Sequence, residues 1–251
     1  MRKWAYLDHP GPAAFAHRGG AKEAPENTMV AFGKAVDLGF RYLETDVRAT
    51  SDGKLVVFHD EMLDRLTGRT GCVEQLPWSE VSQARIDGQP IPLLDELLAA
   101  FPEHRFNIDA KGESAVAPLA AAIERARAHD RVCVGAFSEG RLRRFRHLTG
   151  GHVCTSMGRM STGRMRVASA RVPMGPFRAG CAQVPVRHGR IQIVDRLFVN
   201  AAHRRGIAVH VWTIDEPEEM NRLLDLGVDG LMTDVPTTLR KVLEQRGQWV
   251  P

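Results

Sequence analysis

No Asp or Glu occurs between Arg141 and Arg190, a stretch that carries eleven arginines in a 251-residue chain whose net charge is only +4. Two readings of that stretch stand. It is either a set of solvated helix faces, or a basic flank that draws phosphate-bearing substrates or associates weakly with an anionic membrane surface. Nucleic acid is excluded more readily, because no recognised binding motif or aromatic interleaving accompanies the arginines. Cysteine is sparse: Cys72, Cys133, Cys154 and Cys181 are far apart and form no C-x-x-C pair. This argues against a zinc site or a disulfide scaffold and is compatible with a reducing cytosol. Long hydrophobic runs are also lacking. No window approaches the roughly 18 apolar residues of a membrane span, and MRKWAYLDHPGPAAF has no apolar signal-peptide core. The expectation is a cytoplasmic protein.

What is present is an ordinary globular composition, 43% hydrophobic and 25% charged, in a length that α/β barrels reach as one domain. Strand patterns at 13–17, 42–47, 105–110, 131–136, 152–156, 181–185, 207–213 and 228–233 alternate with helical patterns. ENTMVAFGKAVDLG has apolar residues at Met29, Phe32, Val36 and Leu38 and stops at Gly39. EPEEMNRLLDLG opens on Pro217 with acids in its first turn and stops at Gly227. Eight such units predict a parallel sheet closed as a (β/α)8 TIM barrel, with an open doubly wound sheet as the alternative. One domain over residues 1–251 is expected. Residues 53–95 break the rhythm: a short strand pattern, KLVVFHD, precedes a Gly-, Pro- and polar-rich stretch too long for a βα loop. An inserted excursion at about 60–95, after the second strand, is expected.

Barrel chemistry gathers where strands end and βα loops begin. Those positions hold His17-Arg18, Glu44-Thr45-Asp46, His59-Asp60, Asp109-Ala110-Lys111, Trp212-Thr213 and Thr233-Asp234. Glu44 and Asp46 are two apart, so on a strand they point to one side, and Asp109 and Lys111 repeat that spacing. Clustered carboxylates with oxygen-only donors select a hard divalent cation, Mg²⁺ or Ca²⁺. Structural salt bridges, for instance from Glu44 to Arg18 or Arg41, are the alternative. His17 and His59 at neighbouring strand ends can act as paired acid and base, because imidazoles titrate near neutrality. Cleaving a phosphodiester needs that division of labour, with cationic groups holding the phosphoryl oxygens.

HRGG…PENT…AF, ETDVRATSDGKLVVFHDEMLDRLTG, NIDAK, VHVWTID and GVDGLMTDVP, in this order over positions 15–236, resemble the signature of the glycerophosphodiester phosphodiesterase family. The resemblance implies a (β/α)8 barrel with a small insertion after the second strand. It implies metal-dependent hydrolysis of a small-molecule glycerophosphodiester to glycerol 3-phosphate and an alcohol. By residue, it implies His17 and His59 as the general acid/base pair, Arg18 and Lys111 on the phosphate, and Trp212 against the glycerol moiety. Glu44, Asp46 and Asp109 are implied as ligands of one divalent ion. Asp109 stands where the family usually has glutamate, one methylene longer, which puts its direct coordination in doubt. Glu26 and Asp234 are read as structural. Two rival readings are a lysophospholipid- or sphingolipid-directed phosphodiesterase on the same barrel, and a catalytically silent glycerophosphodiester-binding protein.

Overall fold

Eight strands and eight main helices alternate along the described residues, 4–250, of the computed structural model. The strands are β1 (Ala13–His17), β2 (Tyr42–Ala49), β3 (Arg105–Ala110), β4 (Val132–Gly135), β5 (Cys154–Thr155), β6 (Cys181–Pro185), β7 (Ala208–Trp212) and β8 (Gly230–Thr233). The helices are α1 (Met29–Asp37), α2 (Leu94–Ala100), α3 (Val116–Arg125), α4 (Glu139–Leu148), α5 (Arg159–Ser169), α6 (Arg196–His203), α7 (Pro217–Leu226) and α8 (Pro236–Gln245). All eight expected strands occur, each within a few residues of its predicted ends. Parallel pairing runs β5-β4-β3-β2-β1-β8-β7-β6. The ring is completed between β5 and β6 by one parallel bridge, Ser156 to Cys181. Gly180 N–H donating to Thr155 O (2.9 Å) and Met157 N–H donating to Cys181 O (3.0 Å) hold that seam. The sheet is therefore a barrel, and the open doubly wound alternative falls.

Side-chain alternation sorts the strands into two faces. Outward residues such as Ala14, Ala16, Leu43, Val47, Phe106, Ile108, Val132 and Val134 pack under the helices. Inward residues of the lower barrel, Phe15, Tyr42, Cys133, Cys154, Cys181, Ala208 and Met232, form a second cluster closed by Tyr6 and Leu7. Both faces are covered, which is why strands such as VCVG are buried at every position.

The helices start and stop where local chemistry requires it. Thr28 accepts from Ala31 N–H (3.2 Å) to cap α1, Ser138 caps α4 through Arg141 N–H (3.3 Å), and Asp195 caps α6 through Phe198 N–H (2.8 Å). α1 and α7 end against Gly39 (φ 81°) and Gly227 (φ 86°), whose left-handed backbone turns the chain into the next strand.

The excursion after β2 is real. Leu55–Val57 pairs antiparallel with the end of β2, and two single-turn helices (Asp64–Thr67, Trp78–Val81) follow. A two-stranded hairpin, Arg85–Ile86 with Gln89–Pro90, completes it. It has an apolar cluster of its own, built on Val56, Phe58, Leu63, Val73, Val81, Ala84, Ile86 and Ile91. Phe58 N–H donates to Asp46 O (3.0 Å), which lays the segment carrying His59 across the end of β2.

The HRGG turn is dictated by crowding. Arg18, Gly19 and Gly20 all have positive φ (52°, 80° and 100°). A Cβ on Gly19 would lie 2.7 Å from Ala31 Cβ, and one on Gly20 would lie 2.6 Å from Pro236 Cγ. Only glycine lets α1 and α8 close on this loop. Gly20→Ala is expected to cost about 1–3 kcal/mol, read from the urea midpoint; an unchanged midpoint would contradict this packing argument.

Candidate active site

Register brings the chemistry together. β1 and β2 align His17 with Glu44, β2 and β3 align Asp46 with Asp109, and β3 and β4 align Asp109 with Gly135. The eight residues singled out from sequence (His17, Arg18, Glu44, Asp46, His59, Asp109, Lys111 and Trp212) all line one pocket of about 160 Å³ at the C-terminal mouth of the barrel.

Asp46 lies at the centre. Lys111 Nζ is 2.9 Å from its Oδ1, while Arg18 Nε (3.1 Å) and Asn27 Nδ2 (3.2 Å) approach its Oδ2. Burial alone would push this carboxyl up, but Lys111 and Arg18 hold it down to about 2. Glu44 is differently placed. Its Oε2 accepts from Arg18 backbone N–H (3.1 Å) and lies 3.7 Å from His17 Nε2. Burial pushes it up to about 7; His17 lowers it and the neighbouring Asp46 charge raises it. Asp109 Oδ2 accepts from Lys111 Nζ (2.7 Å), whereas its buried Oδ1 has no hydrogen-bond partner among the described residues. The salt-bridge alternative therefore accounts for Asp46 but leaves Glu44 and half of Asp109 poorly neutralised.

Each histidine is anchored through Nδ1 by a carboxylate. His17 Nδ1 is 2.6 Å from Asp234 Oδ1, and His59 Nδ1 is 2.6 Å from Asp60 Oδ1. Those contacts leave Nε2 of each ring as the nitrogen available for proton transfer. The surroundings push the two rings in opposite directions. Burial lowers His17, but Glu44 and the Asp234 bond outweigh it, so its pKa lies above the usual value. Burial also lowers His59, and Asp46 with the Asp60 bond only partly offsets it, so His59 lies below. The two rings are thus biased oppositely, His17 toward its charged form and His59 toward its neutral one.

A chain of ion pairs ties the two sides. Asp60 Oδ2 accepts from Arg65 Nε, Arg65 bonds both oxygens of Glu26 (2.8 and 3.0 Å), and Glu26 Oε1 accepts from Arg18 NH1 (2.9 Å). Glu26 thus joins the insertion to the pocket. Asp234, read from the sequence as structural, is the anchor of His17. Asn27, at φ 59° and fully buried, donates to Asp46 and accepts from Thr45 Oγ1 (2.9 Å). Asp60 and Asp234 were legible as strand-end acids, but their pairing with histidines was not. Phe137 was missed as well: its ring lies 6.0 Å from that of Trp212, with Lys111 Nζ 5.7 Å from its centroid and Arg159 4.7 Å.

The arginine-rich stretch is mostly exposed, with Arg143, Arg144, Arg159, Arg171, Arg178, Arg187 and Arg190 at the surface, and three of its arginines are paired with acids. Arg144 pairs with Glu113 (2.6 Å), Arg146 with Glu139 (3.7 Å) and Arg166 with Asp195 (2.9 Å). Among the described residues no helix is long and apolar enough to cross a membrane.

The glycerophosphoryl diester phosphodiesterase family profile matches residues 17–238. A curated Mycobacterium tuberculosis protein named "Probable glycerophosphodiester phosphodiesterase 2" is 44% identical, covering 97% of this chain and 95% of that one. A crystal structure from Silicibacter pomeroyi, of a chain assigned the same activity, superimposes with a TM-score of 0.82 at 23% identity, covering 98% of this chain and 100% of that one. The structure of an Oleispira antarctica phosphodiesterase in complex with its product sn-glycerol 3-phosphate has a TM-score of 0.77 at 20% identity, covering 93% and 97%. With its barrel, its mouth pocket and a family match over nearly the whole chain, the protein belongs to the glycerophosphoryl diester phosphodiesterase family.

Proposed function

We propose that this chain hydrolyses glycerophosphodiesters to glycerol 3-phosphate and an alcohol, using His17 and His59 as paired acid and base. The observation that carries the reading is the pair of carboxylate-anchored imidazoles, each at 2.6 Å, on one pocket with Arg18, Lys111 and three carboxylates. One imidazole Nε2 removes the proton from the attacking hydroxyl, and the other protonates the departing alkoxide. Asp234 and Asp60 fix ring orientation and favour the charged ring as it forms. Arg18 and Lys111 are positioned to hold the phosphoryl oxygens. Both are anchored by carboxylates, so their cationic heads are oriented before substrate arrives. Trp212 and Phe137 supply an apolar wall for the glycerol carbons.

The donor set fits a hard divalent cation. Glu44 sits buried with a raised pKa, and Asp109 has a buried oxygen with no partner among the described residues. Glu44, Asp46 and Asp109 would hold Mg²⁺ or Ca²⁺, since all three offer oxygen alone. When bound, such an ion polarises the phosphoryl group and offsets its developing charge. The shorter side chain of Asp109 is already drawn to Lys111 through Oδ2, leaving Oδ1 as its contribution.

Three results are expected from assays of glycerol 3-phosphate release from glycerophosphocholine. EDTA abolishes release and either Mg²⁺ or Ca²⁺ restores it; undiminished turnover in EDTA would remove the ion from the mechanism. His17→Ala and His59→Ala each lower kcat by about 10²–10⁴-fold, and near-normal rates in both would sink the pairing. Asp234→Asn lowers kcat with little change in KM, because it disorients His17 without touching substrate; a pure KM effect would point to a binding role instead.

A further inference from the structure

The cysteines that look scattered in sequence are not scattered in space. Sulfur atoms of Cys133, Cys154 and Cys181 all lie within 4.8 Å of one another, and Cys133 Sγ is 3.6 Å from Cys181 Sγ. Far-apart positions and the lack of a C-x-x-C pair had argued against such a cluster. The reason it forms is register: β4, β5 and β6 are adjacent, Cys133 pairs with Cys154, and Cys181 bridges Ser156. Each cysteine stands two residues before a pocket-lining residue, Gly135, Ser156 or Gln183. The three sulfurs therefore form the layer directly beneath the floor of the active site.

Packing alone explains three small hydrophobes in a core. It does not explain the polar groups beside them. His210, 2% exposed on β7, packs with its ring 4.9 Å from that of Phe15 in the same cluster, and its buried Nδ1 has no hydrogen-bond partner among the described residues. The hydroxyl of Tyr6, 1% exposed in the same cluster, also has none. A buried polar atom without a partner costs free energy, and two around one thiol cluster point to a ligand. Zn–S bonds of about 2.3 Å place tetrahedral sulfur ligands about 3.8 Å apart, within the range spanned here. Arg146, which also pairs with Glu139 (3.7 Å), borders the layer and donates to Thr155 Oγ1 (2.8 Å) and Ser156 O (3.1 Å). Trp4 closes the layer from below; a Cβ on Gly180 would lie 2.6 Å from its ring and 2.8 Å from Cys154 Sγ.

We propose that Cys133, Cys154 and Cys181 form a buried three-thiolate site for a thiophilic divalent ion, Zn²⁺. Its role is structural: it ties β4, β5 and β6 together across the seam that the sheet itself closes with one bridge. Binding releases three thiol protons. The site has no donor in common with the oxygen ligands at the mouth, so the two ions are chemically separable.

The test is refolding of the full chain from denaturant with Cd²⁺ as the probe, in a phosphine reductant that keeps the thiols free. Thiolate-to-metal charge-transfer absorbance is the readout, since oxygen ligands do not produce it. The expected result is a titration that breaks at one ion per chain. It should be unchanged in Cys72→Ala and Glu44→Gln and lose most of its amplitude in Cys181→Ala. Should Cys181→Ala fail to refold, zinc content of natively purified protein from Zn²⁺-supplemented cells decides. One Zn²⁺ per chain in the parent, retained in Cys72→Ala and falling below a tenth in a Cys133→Ala/Cys154→Ala double variant, supports the site. A refolded parent without the charge-transfer band, or a band that survives Cys181→Ala, overturns it, as does native protein that contains no zinc.

Discussion

Two carboxylates two residues apart on one buried strand, Glu44 and Asp46, cannot both be ionised in the barrel mouth unless cations stand close by. The rest of the pocket is arranged around that constraint. Arg18 comes from the end of β1 and Lys111 from just beyond β3, the two strands that flank β2. Together they neutralise Asp46 but leave Glu44 to rely on a backbone N–H and a histidine. That uneven neutralisation is the basis on which a further cation is proposed for the pocket.

The same charges couple local backbone to function. Arg18 can reach both Glu26 and Asp46 because the backbone at Arg18 is left-handed, and that turn exists because Gly19 and Gly20 admit α1 and α8 at close range. Asn27 adds a second left-handed residue, which points its amide at Asp46. The insertion is tied into the same network by the sequence Arg18–Glu26–Arg65–Asp60–His59. An element that looks like decoration on the barrel thus supplies one of the two imidazoles together with the carboxylate that orients it.

Much of this was legible in the chain. Period-two and period-3.6 patterns located the eight strands and several helices, and i, i+2 spacing placed Glu44 with Asp46 and Asp109 with Lys111 on shared faces. Partnerships across sequence were not legible. Asp234 reaches His17 over more than two hundred positions, because β8 closes against β1. The thiol layer depends on the alignment of three strands whose spacing in sequence shows no regularity. Alternation says which face a residue takes, whereas register says whom it meets, and register is a property of the closed sheet.

We propose that Glu44, Asp46 and Asp109 form a site for a hard divalent cation. Calorimetric titration of the metal-free protein with Mg²⁺ and with Ca²⁺, beside Glu44→Gln, tests it most directly. Saturable binding of one such ion per chain is expected, lost in Glu44→Gln while the variant keeps its thermal transition. Equal binding by both proteins, or no binding by the parent, would contradict it.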